Sequence, residues 1–130
     1  MICAVPISGM DARAEADCLR VAHFGPEDVL FFGIAAGEGR AQVWAVYDGP
    51  ERIGSLVLTE CEGALVVNVY AADGGGDTLP QVLRILETVA SKRGLKSLRF
   101  WTRLPALARR AGAYGFTASH VLEKEITDGK

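Results

Sequence analysis

The order of apolar runs between residues 40 and 102 constrains the fold more than any single residue does. Three runs rich in Val, Ile, Leu and aromatic side chains follow one another: Arg40–Tyr47, Ile53–Glu60 and Ala64–Ala71. The two connections between them are short and carry turn residues, Asp48-Gly49-Pro50 and Cys61-Glu62-Gly63. Because such short connections join neighbouring antiparallel strands, the pattern predicts a three-stranded meander.

Side-chain alternation along the meander predicts which residues share a face. In its second strand, Ile53 and Ser55 are predicted to face one way and Leu56 the other. The third strand is apolar on both faces from Leu65 onward, which is typical of a central strand covered on both sides. Asn68 is the polar exception on this strand, so it either caps a neighbouring backbone group or faces a cleft.

A long amphipathic helix and a further strand follow the meander. Apolar residues recur with a 3.6-residue period, Pro80 lies in the first turn, and Gly94 follows the last turn. The residues predicted to be buried are Leu79, Val82, Leu83, Leu86, Val89 and Ala90. A strand over Leu95–Thr102 comes next, and strand, helix and strand in this order predict a parallel pair joined by a right-handed crossover.

Shorter elements precede the meander. We predict a strand over Ile2–Ile7 and a first helix whose start is indicated by Ser8 and Asp11. The residues predicted to share the buried face of that helix are Ala12, Ala16 and Leu19. A second short helix begins near Pro26 and ends at Gly37.

The C-terminal part completes a single domain. We predict a short helix over Pro105–Ala113, a last strand over Thr117–Ile126 and a loose tail over residues 127–130. The 130 residues are therefore expected to form one α+β domain, with a mixed, mainly antiparallel central sheet flanked by helices.

Composition excludes several classes of protein. The three cysteines lie far apart and only two histidines are present, so neither a zinc site nor a disulfide framework is expected, and no metal is predicted. No stretch approaches the roughly 20 apolar residues that a membrane span needs. A reducing, cytoplasmic location is the expectation, or a virion if the chain derives from a bacteriophage.

From Val43 to Ile126 the element order resembles the GNAT N-acetyltransferase superfamily, and Gly115-Phe116 matches the end of a family motif. The resemblance implies that acetyl-CoA lies in a wedge between the third meander strand and the strand after the long helix. It implies that the backbone of Val69 and Tyr70 holds the pantetheine. The residues implied to hold the pyrophosphate at the helix start are Gly74, Gly75, Gly76 and Thr78.

The same resemblance suggests catalytic candidates. Tyr114 is the nearby proton donor, although the family tyrosine position falls on Ala111. The candidates for a general base near the wedge are Glu60, Glu62 and Asn68.

Other departures from the family pattern affect the expected activity. Two key glycine positions of the phosphate motif fall on Asp77 and Leu79. Asp73 and Asp77 flank the three glycines, and a carboxylate repels phosphate. The sequence therefore favours a diverged, non-catalytic domain without cofactor that acts as a structural or protein-interaction module, including a virion-associated one.

Two alternatives stay open. One is an acyl-CoA-dependent N-acetyltransferase acting on a small-molecule or protein amine. The other is an unrelated α+β domain with the same element order, which a sheet without the wedge would favour.

Charge is distributed unevenly along the chain, and this suggests a partner. Residues 1–70 carry 10 acidic and 4 basic side chains, whereas residues 71–130 carry 6 and 10. No acidic residue occurs between Thr88 and Leu122. The residues predicted to meet a protein partner are Arg99, Trp101, Arg103, Arg109 and Arg110. Nucleic acid is not the expected partner, because the net charge is −2 and no nucleic-acid motif is present.

Overall fold

The computed structural model describes residues 1–21, 24–73 and 78–100. In these ranges a sheet of five strands has the order β1-β2-β3-β4-β5. The strands are β1 (Ile2–Ile7), β2 (Gln42–Asp48), β3 (Glu51–Cys61), β4 (Ala64–Ala72) and β5 (Ser97–Phe100). The helices are α1 (Ala12–Leu19), α2 (Pro26–Gly37) and α3 (Thr78–Lys92). The helix and strand predicted after residue 104, and the C-terminal tail, lie outside the described residues.

The strand pairing confirms the predicted α+β architecture. β1, β2, β3 and β4 pair with their neighbours in antiparallel fashion, whereas β4 and β5 pair in parallel after the α3 connection. The tight corners of the meander use positive φ angles at Gly49 (61°) and Gly63 (79°). No helix within the described ranges is long and apolar enough to cross a membrane.

Two bulges change the simple alternation along the strands. Opposite β2, the register of β3 skips Ile53, and Ile53 joins the core on the α3 side of the sheet with Leu56. The prediction that Ile53 shares a face with Ser55 was therefore wrong, because a bulge reverses the alternation at one residue. In β4 the register skips Asn68, since Val57 pairs with Val69 and Leu58 pairs with Val67.

Each face of the sheet has its own core. On the α3 face, α3 buries the apolar positions predicted from its period, with Val89 only partly buried. They pack against strand residues that include Trp44, Leu56, Leu65 and Val67. On the opposite face a smaller cluster joins Cys18, Val57 and Val69, and partly buried residues of α2 complete it.

Helix α1 presents a different face to the sheet from the one predicted. Asp11 caps its first turn, where its carboxylate accepts a hydrogen bond from the backbone N–H of Ala14 at 2.8 Å. The residues buried on α1 are Ala14, Asp17 and Cys18, whereas those predicted to be buried are exposed or half-exposed. The prediction was wrong because it used apolar spacing alone, whereas the buried face includes the charged residue Asp17, which is 2% exposed.

Candidate functional site

The end of β4 is the part of the sheet that is nearest in sequence to the start of α3. β5 pairs with β4 from Ala64 to Val67, and Phe100, the last residue described, lies opposite Val67. β4 continues to Ala72, paired only with β3 within the described residues.

Asn68 lies at the bulge where this stretch begins. Its amide nitrogen donates to the Thr59 hydroxyl at 2.9 Å and to the Val66 carbonyl at 3.4 Å. Of the two possibilities left open by the sequence, the contact with a neighbouring backbone carbonyl is observed. These bonds hold the bulge in place. A catalytic role for Asn68 stays a prediction.

Val69 and Tyr70 follow the bulge and use their side chains for packing. Val69 is buried in the small cluster on the α1 side of the sheet. Tyr70 points to the α3 side, where its ring meets the Phe100 ring edge-on with centroids 6.3 Å apart. Both side chains are thus engaged in packing, and a role of their backbone groups in binding a ligand stays a prediction.

Helix α3 begins at Thr78, directly after the glycine corner. Thr78 is buried, and Leu79 is 3% exposed because its side chain lies in the core on the α3 face. Leu79 occupies a family glycine position, but its side chain points into the core and not toward solvent at the start of α3. Gly74, Gly75, Gly76, Asp77 and Tyr114 lie outside the described residues.

Asp73 is the last described residue before the three glycines, and two arginines contact it: Arg13 on α1 and Arg20, the C-cap residue of that helix. Arg20 donates to one carboxylate oxygen at 2.7 Å, and Arg13 donates to the other at 3.0 Å. The backbone N–H of Asp73 also donates to the carbonyl of Ile53 at 2.7 Å. The negative charge that the sequence placed beside the corner is therefore paired.

The same two arginines also contact Asp17, which is buried beneath them. The carboxylate of Asp17 accepts from Arg20 at 2.7 Å, from Arg13 Nε at 3.1 Å and from the Ser55 hydroxyl at 2.7 Å. Hydrogen bonding to Asp17, and less strongly to Asp73, raises the pKa of Arg20. Sequence reasoning missed this cluster, although the spacing of Arg13, Asp17 and Arg20 on one helix was a signal for it.

A further ion pair extends the cluster toward the N-terminus of α1. Arg52 donates to both carboxylate oxygens of Asp11, at 2.6 and 3.2 Å, and to the Ser55 hydroxyl at 3.1 Å. The hydrogen bond from Arg52 is the largest cause that lowers the pKa of Asp11. We call the residues Asp11, Arg13, Asp17, Arg20, Arg52, Ser55 and Asp73 the α1 charge network.

The two glutamates proposed as bases lie toward the other end of β4. Glu60 pairs in the sheet with Leu65, and its carboxylate accepts from Arg93 at 3.0 Å. Glu62 lies in the β3–β4 turn and accepts from Arg99 at 3.4 Å. Both are thus separated from Tyr70 by most of the strand, which rises about 3.3 Å per residue. Of the predicted partner surface, only Arg99 is among the described residues.

The described residues contain no cluster of His, Cys, Asp and Glu that could hold a metal ion. Burial, together with the nearby carboxylates of Asp17 and Glu15, raises the pKa of the Cys18 thiol to about 12. Cys18 is therefore a packing residue and not a nucleophile.

Comparisons with protein-family models and with curated proteins give no match. Solved structures do match. A GNAT family acetyltransferase from Elizabethkingia anophelis with acetyl-CoA bound aligns with a TM-score of 0.72 and 14% identity, over 91% of this chain and 77% of that one. An IAA acetyltransferase from Bacillus cereus ATCC 14579 aligns with a TM-score of 0.66 and 16% identity, over 85% of this chain and 72% of that one.

The ribosomal-protein-S18-alanine N-acetyltransferase from Escherichia coli aligns with a TM-score of 0.64 and 17% identity, over 92% of this chain and 79% of that one. At such identities the likeness shows the fold alone. The chain therefore has the α+β fold of the GNAT acetyltransferases.

Proposed function

We propose that this domain binds acyl-CoA along the end of β4 and transfers the acyl group to an amine. The observation that carries the proposal is the parallel pairing of β4 with β5 beside the Asn68 bulge, in a fold shared with an acetyltransferase structure that has acetyl-CoA bound. A pantetheine chain is an extended amide-containing group, so it can hydrogen-bond to the backbone of a strand.

Two features of the charge distribution and packing support this site for the cofactor. Arg13 and Arg20 contact the Asp73 carboxylate, so its charge opposes bound phosphate less than the sequence alone suggests. The Leu79 side chain lies in the core, so it does not cover the backbone N–H groups at the start of α3. Backbone N–H groups at a helix start favour anions.

The residues proposed to hold acyl-CoA fall into two groups. Val69 and Tyr70 would bind the pantetheine through their backbone, and Gly74, Gly75, Gly76 and Thr78 would bind the pyrophosphate. Bound acyl-CoA supplies an acyl group activated as a thioester. In direct attack the amine nitrogen would bond to the acyl carbon as the C–S bond breaks, Tyr114 would donate a proton to the departing thiolate, and the proton lost by the amine would pass to water. Asn68 steadies the bulge through Thr59.

Calorimetric titration with acetyl-CoA and with CoA tests the binding step. We expect saturable binding by the wild-type chain and its loss in Gly75→Leu, because a bulky side chain would obstruct the corner. Gly9→Leu is the matched control, since a Cβ added at Gly9 meets no atom within 4 Å. Release of free thiol with a panel of amines then tests acyl transfer. Binding that is unchanged in Gly75→Leu would reject this site.

A second candidate function is a non-catalytic protein-interaction module. It is favoured by α2, where Leu30, Phe31 and Ile34 are 65%, 57% and 50% exposed. The family departures at Asp77 and Ala111 agree with it. The basic partner surface proposed from the sequence, and a place in a virion, belong to this candidate. Absence of CoA binding at millimolar ligand, with the fold intact, would favour it over the transferase.

A further inference from the structure

We propose that Arg13 and Arg20 are positioning residues for acyl-CoA: they hold the Asp73 carboxylate against α1 and cancel its charge one residue before Gly74. This inference rests on the proposed function and deepens it. In the described part of the chain, the link between the two arginines and the proposed site is Asp73.

The geometry provides a bridge between two carboxylates. Arg20 contacts Asp17 and Asp73 through different nitrogens, each at 2.7 Å. Arg13 does the same, with its Nε at 3.1 Å from Asp17 and its terminal nitrogen at 3.0 Å from Asp73. Two positive and two negative charges thus alternate, and their sum is zero.

The two carboxylates of the bridge differ in burial. Asp17 is 2% exposed and is held from below by Ser55, whereas the Asp73 side chain is 52% exposed. The arginines are therefore anchored on α1 by Asp17, and Asp73 is the end that they restrain. Because Asp73 directly follows the last residue of β4 and its backbone N–H donates to the carbonyl of Ile53, its restraint fixes the end of that strand.

The charge balance has a consequence for an anionic ligand. CoA carries several phosphate charges, and each interacts with an uncompensated carboxylate in its vicinity. Removing one arginine leaves a net negative charge in the bridge. Removing Asp73 instead leaves a net positive charge. A charge effect therefore predicts opposite signs for the two substitutions, whereas a purely structural role predicts that both weaken binding.

The experiment measures the CoA dissociation constant by calorimetry for the wild type, Arg20→Gln, Asp73→Asn and the double variant, at low and moderate salt. Arg40→Gln is the matched control, since Arg40 forms an exposed pair with Glu38 outside the α1 charge network. Thermal melting of each variant reports folding independently of CoA. Arg13→Gln is a second single variant if Arg20→Gln melts early.

We expect Arg20→Gln to weaken CoA binding about tenfold at low salt and less at moderate salt. Asp73→Asn should bind at least as tightly as wild type, and the double variant should return close to wild type. If Arg20→Gln binds CoA with the same dissociation constant as the wild type, this inference is overturned and the proposed function still stands. Weakening by Asp73→Asn equal to that by Arg20→Gln also overturns it. Absence of binding by the wild type overturns both.

Discussion

The face of the sheet covered by α3 and the face covered by α1 are stabilised in different ways. The α3 face buries a continuous apolar cluster that extends from Trp44 to Phe100. The α1 face has a small apolar cluster and, beside it, a buried carboxylate and hydroxyl at Asp17 and Ser55. Apolar burial is non-directional, whereas ion pairs require specific partners at specific distances.

The difference indicates a division of roles between the faces. The α3 face supplies the free energy that keeps β4 and β5 together at one end. The α1 face supplies directional contacts at the other end of β4, where the chain leaves the sheet at Asp73. Substitutions on the two faces should therefore differ in size, in pH dependence and in their effect on ligand binding.

The largest effect is expected from Leu86→Ala on the α3 face. Leu86 is 0% exposed, so truncation removes buried area and leaves a cavity that costs about 2–5 kcal/mol of unfolding free energy. Urea unfolding measures this loss. Leu19→Ala on the exposed side of α1 is the control and should change stability by about 0.5 kcal/mol or less. A loss below about 1 kcal/mol for Leu86→Ala would contradict the assigned role of this face.

A smaller loss is expected from Asp17→Asn on the α1 face. The substitution keeps the shape but weakens the contacts with Arg13, Arg20 and Ser55, at a cost of about 1–3 kcal/mol. The loss stays below that of Leu86→Ala because both arginines remain in contact with solvent. Asp48→Asn, which touches only the exposed N-terminus, should cost about 0.5 kcal/mol or less in the same assay. If Asp17→Asn and Asp48→Asn lower the unfolding free energy equally, the contacts of Asp17 do not stabilise the α1 face as proposed.

The pH dependence of stability should separate the faces further. The pKa of Asp11 in the folded chain is lowered by Arg52, so its contribution is present above the ordinary value of 3.8 and is lost as pH falls through the lower folded value. Arg52→Gln should therefore reduce the slope of melting temperature against pH below 3.8. Leu86→Ala should lower all melting temperatures without changing that slope. An unchanged slope in Arg52→Gln would show that the pair does not couple folding to protonation.

The smallest effect is expected from Leu30→Ser and Ile34→Ser on the outer side of α2. Both side chains are at least half exposed, so each change should alter unfolding free energy by about 0.5 kcal/mol or less. Phe32→Ser, whose ring stacks near Phe24 against the small cluster, should cost more. A loss above about 1 kcal/mol at Leu30 or Ile34 would mean that this side of α2 is covered.

The parts of the fold that depend on local pattern were predicted well. Strand bounds followed from apolar runs between Gly-containing turns, and the buried positions of α3 followed from its 3.6-residue period. Gly54 shows the limit of this approach. A Cβ there would lie 2.7 Å from the Cα of Ala72 on the neighbouring strand, a constraint that depends on strand registration.

The candidate site was predicted only in part. Val69 and Tyr70 lie at the end of β4, and their role in binding stays a prediction, whereas Asn68 binds Thr59 across the β3–β4 pair. Glu60 and Glu62 were named as bases because they are close in sequence to β4, but each is paired with an arginine toward its opposite end. Sequence distance is a poor guide here because an antiparallel turn brings the start of one strand beside the end of the previous one.

By itself the sequence determined the succession of strands and helices and the apolar face of α3, because turn residues and periodicity act over a few neighbouring residues. Only the tertiary structure decided which face of α1 is buried and which charge is paired at Asp73. Those contacts join residues 38 to 60 positions apart. Such a contact forms once the sheet has brought its partners together, so it is decided by the packing of α1 on β3 and β4.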